Sequence, residues 1–367
     1  MEKKKIQIDI YFLLIAFFCI AMILTSGGCS TTESHHTTSA FVSSSQDKVW
    51  PTPPQIPRIR YLGSVTSFFG QKIQKTWLAK TMDSIFSAEE PKKIMLRPYG
   101  VYADERRIYI TDPGLRSLHI FDHIEKKYLQ ISTAKEERLV SPIGVTVDKN
   151  GDIYLSDSVL KKVLVYDKEG KFLREIGSPQ IFERPAGIAL DIDRIYVVDA
   201  HGHSILVFSK KEGNMLFSFG RKGTMAGEFN YPTNICRGRN GLFYITDSMN
   251  FRVVIADRDG KVMSSFGKPG NGSGDFSKPK GVAMDSDGHI YVADAHFDNV
   301  QIFGPDGKLL LVFGNSGQGP GEMSLPAGIF IDDTDKIYVA DSYNKRIQIF
   351  QYLKERQDIA PENGRTK

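Results

Sequence analysis

With 367 residues, 41% of them hydrophobic and 25% charged, the chain is long and apolar enough to bury a sizeable core. The formal net charge of +4 falls to +3 without residues 1–28, which hold three Lys and two acids. So small a charge excludes the strongly basic class of polyanion-binding proteins, and nucleic acid is not expected as a partner. Three cysteines exclude a disulfide-dense scaffold.

The N-terminus carries a targeting signal. Lysines at positions 3–5 precede an apolar run over 10–24, too short for a comfortable membrane span, so 1–28 is predicted to be a signal peptide. The small residues before Cys29 resemble the bacterial lipobox, which implies lipidation of Cys29, although Ser26 stands where that pattern prefers Leu. An uncleaved N-terminal anchor is the alternative. Both interpretations hold the protein at a membrane, outside the cytosol.

The segment after this signal is predicted to be a disordered tether over 29–56, because it is rich in Ser, Thr and Pro and poor in apolar residues. Ser30, rather than Asp, follows Cys29. By resemblance to sorting in Gram-negative bacteria, this implies an outer-membrane lipoprotein of the cell envelope.

An insertion follows over 64–95, where apolar residues recur at helical spacing. The spacing predicts an amphipathic helix over 71–88, within a helical insertion of about 71–90. One interpretation is a structural brace packed on the domain. The other is a lid or partner surface, for which Trp77 is the candidate contact residue.

The remainder of the chain is a sixfold repeat of four short strands separated by Gly-containing turns. Each second strand has a Tyr followed three residues later by an Asp, and successive Asp residues are 45, 42, 48, 47 and 47 apart. This period predicts an all-β, six-bladed β-propeller over 57–350. Five units begin with Pro-x-Gly and the other with Pro232-Thr233-Asn234; the five are at Pro98, Pro142, Pro185, Pro279 and Pro326.

The last repeat lacks its fourth strand. After Phe350 the chain continues into a polar C-terminal tail over 351–367, without a strand pattern. Residues 59–63, Ile-Arg-Tyr-Leu-Gly, are similar to the missing ending. We therefore expect this N-terminal strand to pair with the last blade, which would close the ring and remove an exposed edge.

The repeat units resemble NHL repeats, most clearly in the sequence ADSYNKRIQIF at 340–350. The resemblance covers roughly residues 57–350 and implies a six-bladed propeller. It does not select a function, because propellers of this family bind RNA or proteins, sense ligands or catalyse reactions.

Several repeated features are interpreted as structural. The Asp that ends each second strand is expected to accept hydrogen bonds from the backbone of the following loop. Three Gly-rich segments near 221, 268 and 315 lack the Gly-Lys-Ser/Thr ending of a phosphate loop and are interpreted as connectors between blades. Cys236 is interpreted as a small buried residue rather than a nucleophile.

Departures from the repeat provide the candidate ligand-binding or partner-binding residues. His201 and His296 lie two blades apart at the same loop position, and His203 is close to the first of them. A metal site formed by these three histidines is the weaker alternative, since no third ligand follows the register. The full set of candidates is His201, His203, Asn234, Arg252, His296, Tyr343 and Trp77.

No catalytic residues are predicted. Amidating lyases related to NHL proteins place a zinc-binding His directly after the first-strand Pro, and none of the six repeats has His there. No acid set typical of propeller lactonases and no Ser-His-Asp arrangement is visible in the sequence. The sequence favours a monomeric, non-catalytic binding or scaffold propeller without cofactor, lipid-anchored and facing a protein, peptide or glycan. The alternative is a metal-dependent hydrolase or lyase with its site at the mouth of the central channel.

Overall fold

A computed structural model describes residues 35–43, 48–70 and 93–354, with side chains described for 48–66 and 95–354. The described chain forms six four-stranded antiparallel blades around a central channel. The first strands of successive blades contact one another around the full circle, including those of the last and first blades. The predicted six-bladed propeller is confirmed.

The strands alternate up and down within each blade, and the chain moves to the next blade after every fourth strand. Six strands come before blade one or between blades one and two: β1 His35–Ser43, β2 Val49–Trp50, β3 Ile59–Gly70, β4 Lys93–Ile94, β9 Thr133–Ala134 and β10 Glu137–Arg138. Of these, β3 is the fourth strand of blade six. Blade one has β5 Val101–Ala103, β6 Arg107–Asp112, β7 Ser117–Asp122 and β8 Lys127–Ile131. Blade two has β11 Pro142–Val147, β12 Ile153–Asp157, β13 Lys162–Tyr166 and β14 Phe172–Ile176.

The other blades repeat this pattern. Blade three has β15 Pro185–Leu190, β16 Arg194–Asp199, β17 Ser204–Ser209 and β18 Met215–Phe219. Blade four has β19 Pro232–Arg237, β20 Phe243–Asp247, a 3₁₀ turn Ser248–Asn250, β21 Arg252–Ala256 and β22 Val262–Phe266. Blade five has β23 Pro279–Met284, β24 Ile290–Asp294, β25 Asn299–Phe303 and β26 Leu309–Phe313. Blade six has β27 Pro326–Ile331, β28 Lys336–Asp341 and β29 Arg346–Tyr352.

Burial follows the position of a strand within its blade. The second strand β24 is buried at every residue, because neighbouring blades cover both faces of the sheet. The outermost strand β14 alternates between exposed and more buried residues, as expected at the rim. The hydrophobic core therefore lies between the blades, in successive clusters of Ile, Val, Tyr and Phe side chains.

The ring closes as the sequence predicts. Strand β3 pairs antiparallel with β29, with Tyr61 opposite Phe350 and Ile59 opposite Tyr352. The rings of Tyr61 and Phe350 meet edge to face, with centroids 5.4 Å apart. Strand β1 pairs with both β3 and β8, so blades six and one share one 11-stranded sheet.

The prediction of a tether over 29–56 is corrected, since β1 and β2 lie within that range. Trp50 packs between Phe313 and Phe350, with ring centroids 5.9 and 5.8 Å away. The average composition of 29–56 did not predict this contact, because a single indole side chain can bury a large apolar area within an otherwise polar segment. The tail boundary also moves by two residues, as β29 ends at Tyr352 rather than at 350.

Other predictions fall outside the described residues. These are the signal peptide over 1–28, lipidation of Cys29, the helix over 71–90 with Trp77, and most of the tail. Within the described ranges, the chain has no helix of the length and apolarity that crossing a membrane requires.

Candidate functional site

Two adjoining cavities, of about 750 and 280 Å³, open on the face formed by the links into the first strands and by the loops after the second strands. They share Arg97, Tyr99 and Lys280. We call these two cavities the channel mouth. Below the mouth, the central channel is lined by all six first strands and has a volume of about 290 Å³. The mouth is the concave region where side chains from separate blades converge.

The repeated Asp residues position part of the mouth lining. In alternate blades, the carboxylate at the end of the second strand accepts a hydrogen bond from the backbone N–H of a basic residue that precedes the first-strand Pro. The pairs are Asp112 with Arg97 at 3.0 Å, Asp199 with Arg184 at 2.6 Å and Asp294 with Lys278 at 2.9 Å. This confirms the structural role predicted for the Asp. It also fixes where three cationic side chains leave the backbone.

The described lining of the mouth contains cations and no carboxylate. Five basic residues line its two cavities, and no Asp or Glu is among the described lining residues: the five are Arg97, Arg184, Lys278, Lys280 and Lys345. None of them forms an ion pair within the described part of the chain. A concave surface lined by charges of one sign concentrates its field on a ligand of the opposite sign.

Tyrosines lie among these cations. The Lys280 Nζ atom is 5.3 Å from the centroid of the Tyr99 ring, a cation–π contact. Tyr231, in the smaller cavity, is 42% exposed, and Tyr343, in the larger one, is 68% exposed. The candidate Tyr343 is therefore placed on the mouth as an accessible aromatic surface.

The candidate His201 also lies at the mouth. Its Nε2 atom is 3.3 Å from the Arg184 guanidinium, and its ring meets Tyr231 edge to face at 5.5 Å. It lines the smaller cavity with both of these residues. His201 is thus part of a polar, aromatic wall.

His203 has a structural position instead. It is only 7% exposed, and its Nδ1 atom accepts a 3.1 Å hydrogen bond from the backbone N–H of Tyr231. Burial, followed by the nearby charge of Lys222, lowers the pKa of His203 and favours the neutral ring. The side chain holds the link that presents Tyr231, and it does not line the mouth.

The three histidines do not form a metal centre. His296 Nδ1 is 2.7 Å from the hydroxyl of Ser277, and His296 lines neither cavity of the mouth. Across the described ranges, no three His, Cys, Asp or Glu side chains are grouped as metal ligands. The alternative metal site built from His201, His203 and His296 is therefore not supported by their placement.

Arg252 is occupied by structural contacts. Its guanidinium donates to the Asp247 carboxylate at 2.8 Å and to the backbone carbonyls of Thr224, Met225 and Glu228. In blade six, Arg346 makes the equivalent contacts with Asp341 and with the link over 318–322. Because the same arrangement recurs in two blades, Arg252 is a link clamp rather than a ligand residue.

Asn234 and Cys236 lie in the channel below the mouth. The side-chain oxygen of Asn234 accepts a hydrogen bond from the Ile235 N–H at 2.7 Å. Burial raises the pKa of the Cys236 thiol to about 12, so the thiolate needed for nucleophilic attack is scarce at neutral pH. Both residues shape the channel wall. Cys236 is half-buried there rather than fully buried as predicted, and its raised pKa agrees with the interpretation that it is not a nucleophile.

Blade one contains a Ser-His-Asp grouping that was not visible in the sequence. His119 Nε2 is 3.3 Å from Ser117 Oγ and 3.9 Å from Asp112 Oδ2, while the Tyr128 hydroxyl is 2.6 Å from His119 Nδ1. A catalytic triad needs an accessible Ser, and its His contacts Ser and Asp through opposite nitrogens. Here one nitrogen faces both, and all four residues are buried. Ser117 and His119 occupy the strand positions that Arg346 and Gln348 occupy in blade six.

The mouth cations were missed in the sequence because each lies far from the others along the chain. Arg97, Arg184 and Lys278 share one register, the residue before the first-strand Pro, in blades one, three and five. Aligning that single position across the repeats could have found them. The net charge of the chain could not have revealed these cations, because it sums the charges of the mouth with those of the rest of the surface.

Comparison with known proteins supports the architecture. A family described as DUF5128, 6-bladed beta-propeller, matches residues 284–356. The Drosophila melanogaster protein brain tumor is 29% identical over 129 residues, which are 34% of this chain and 12% of that protein. The chain is a six-bladed propeller, as the sequence predicts. It spans a small part of that curated relative.

Solved structures share the fold at low identity. An auxiliary nutrient binding protein from Bacteroides ovatus is 14% identical with a TM-score of 0.56, and the match covers 71% of this chain and 70% of that one. A catalytically inactive virginiamycin B lyase from Staphylococcus aureus, with quinupristin, is 11% identical with a TM-score of 0.55, covering 89% and 97%. At such identity, these likenesses establish the propeller scaffold and leave its ligand open.

Proposed function

We propose that this protein is a lipid-anchored binding propeller of the bacterial cell envelope, attached through Cys29 at the outer membrane. It binds a protein, peptide or glycan at the channel mouth and does not convert it chemically. The observation that carries the proposal is the composition of the mouth. Among the residues that the structure describes, cations without an ion pair and exposed tyrosines from several blades converge there, and no carboxylate lines the cavities.

Three further points support this role. Loops on a rigid propeller can vary without loss of the core, which suits recognition. Nutrient binding proteins from two Bacteroides species share the scaffold. The buried Ser-His-Asp grouping and the dispersed histidines provide no accessible catalytic set within the described ranges.

Photo-crosslinking in intact cells tests where the partner binds. A photoreactive amino acid replaces Tyr343, which is 68% exposed at the mouth, or Met263, which is 54% exposed on the outer strand β22. We expect a discrete crosslinked product from position 343 and none from position 263. Products from position 263 alone, or equally from both, would overturn the assignment of the mouth.

The anchor is tested separately, by fractionation of cells that produce the wild type or Cys29→Ser. We expect the wild type in the outer membrane and the variant displaced from that fraction, because a chain without its acyl groups loses most of its membrane affinity. Unchanged fractionation of Cys29→Ser would remove lipidation from the proposal and leave the binding role standing.

A further inference from the structure

We propose that the channel mouth binds an acidic saccharide, a sugar ligand that carries at least two carboxylate or phosphate groups. This inference rests on the proposed function, because it names the ligand class for that same mouth. It is argued from the placement of the cations, from the tyrosines between them and from the shape of the two cavities.

The cations form a spaced set. Arg97, Arg184 and Lys278 belong to blades one, three and five, so they alternate around the ring. Arg97 and Lys280 line both cavities, while Arg184 lines the smaller and Lys278 and Lys345 line the larger. A ligand that spans both cavities therefore meets positive charge at each end and in the middle. That spacing suits a ligand with several anionic groups better than a single small anion.

The cations are available for such a ligand. No side-chain ion pair engages these five residues in the described part of the chain, in contrast to Arg252 and Arg346. The nearby Asp carboxylates of the second strands are buried and turned to backbone N–H groups. An anionic ligand would supply the missing counter-charge, and a guanidinium can bind a carboxylate or phosphate through two parallel hydrogen bonds.

The tyrosines indicate that the anionic groups are attached to rings. Tyr231 and Tyr343 expose large flat surfaces in the smaller and larger cavity respectively. A tyrosine offers an apolar face together with a hydroxyl, and a sugar ring likewise has an apolar C–H face surrounded by hydroxyls. An inorganic anion has no apolar face that could pack against these tyrosine rings.

The shape of the mouth favours a saccharide over single-stranded nucleic acid, which also combines rings with negative charge. Sites for such strands follow the backbone along an open groove. Here the cations face a confined mouth with cavities of about 750 and 280 Å³. A short acidic oligosaccharide fits this enclosure, and nucleic acid is kept as an outcome of the test.

Isothermal titration calorimetry on the full-length chain in detergent tests the inference. The probes are trigalacturonate, neutral maltotriose, glucose 1,6-bisphosphate, inorganic phosphate and a hexauridylate RNA. The mouth variant is Arg97→Gln with Lys280→Gln. The control is Lys149→Gln with Lys211→Gln, which removes two exposed lysines from turns on the opposite face. A Tyr343→Ala variant tests the aromatic contribution.

We expect trigalacturonate to bind and maltotriose not to bind. The mouth variant should weaken binding by at least about tenfold for each cation removed, since hydrogen bonds to charged groups contribute ~1.5–3 kcal/mol. Tyr343→Ala should weaken it by several-fold and the control should leave it unchanged. Binding of glucose 1,6-bisphosphate in place of trigalacturonate, with the same loss in the mouth variant, supports the inference with phosphate as the source of charge.

Four outcomes overturn the inference. They are equal binding of maltotriose, tighter binding of the RNA than of any sugar, and binding of inorganic phosphate alone or of none of the probes. The photo-crosslink from position 343 does not depend on ligand charge. If that crosslink persists while the acidic probes fail, the proposed function stands and the ligand class is wrong.

Discussion

Two sets of arginines lie on the same face of this propeller and have opposite roles. Arg252 and Arg346, at the starts of their third strands, have side chains only 15% and 10% exposed, and each donates to a buried Asp and to several link carbonyls. Arg97 and Arg184, just before their first strands, have exposed guanidinium groups without an ion pair in the described chain. Register within the blade, rather than residue type, therefore decides whether a cation is held by the scaffold or left exposed at the channel mouth.

The physical reason is the part of the chain that covers each position. The third strand is covered by the link from the preceding blade, so a long side chain at its start reaches unsatisfied carbonyl groups. The residue before the first strand lies beside the axis, where the described lining of the cavity offers its side chain no carboxylate. Buried arginine must be paired, whereas an exposed arginine at the mouth can remain solvated.

Removal of a link clamp tests this comparison with the largest expected effect. Arg346→Ala should lower the free energy of unfolding by about 3–5 kcal/mol, because it leaves the Asp341 carboxylate buried without its ion pair. Guanidinium chloride denaturation provides the measurement. The matched control is Arg184→Ala, which should change stability by less than about 0.5 kcal/mol. Similar losses in both variants would show that mouth arginines also hold the scaffold.

Two histidines extend the comparison to pH, with an intermediate effect. The pKa of His203 is lowered by burial, so the unfolded chain takes up a proton first and stability should fall as pH drops below about 6.5. The pKa of His289 is raised by its hydrogen bond to Asp285, at 2.8 Å. Its contribution should be complete below about 6.5 and lost as pH rises through the raised pKa.

Urea denaturation of His203→Gln and His289→Gln between pH 5 and 8 measures both contributions. The stability difference between wild type and His203→Gln should shrink toward pH 5, as the wild type loses the advantage of a neutral ring. For His289→Gln, the difference should shrink toward pH 8. Parallel profiles for the two variants would contradict the opposite roles assigned to these side chains.

The smallest effect on stability is expected at the mouth itself. Lys278→Gln with Lys280→Gln should leave the denaturation midpoint unchanged, because neither side chain has an ion pair in the described chain. The same double variant should slow association with trigalacturonate and reduce its dependence on salt, as fewer charges steer the encounter. Stopped-flow measurements at 50 and 300 mM salt check this. Unchanged kinetics alongside unchanged stability would place the ligand elsewhere.

Much of this protein follows from its sequence alone. The recurring Tyr and Asp of the second strand, the Pro-x-Gly starts and the missing last strand were sufficient to predict six blades and the β3–β29 closure. These features are local, because each repeat encodes its own turns, its own alternation of apolar and polar residues, and the hydrogen bonds between its Asp and the backbone. One unit cannot bury both of its faces, so the number of repeats also determines how the ring closes.

The tertiary structure decided the rest. Only the closed ring brings Arg97, Arg184 and Lys278 to one mouth, although they lie far apart along the chain. It also places Trp50 on the core, His203 beneath Tyr231 and a buried Ser117–His119 pair in blade one. Charge at a binding site depends on distances through space, and a linear pattern records distances only along the backbone.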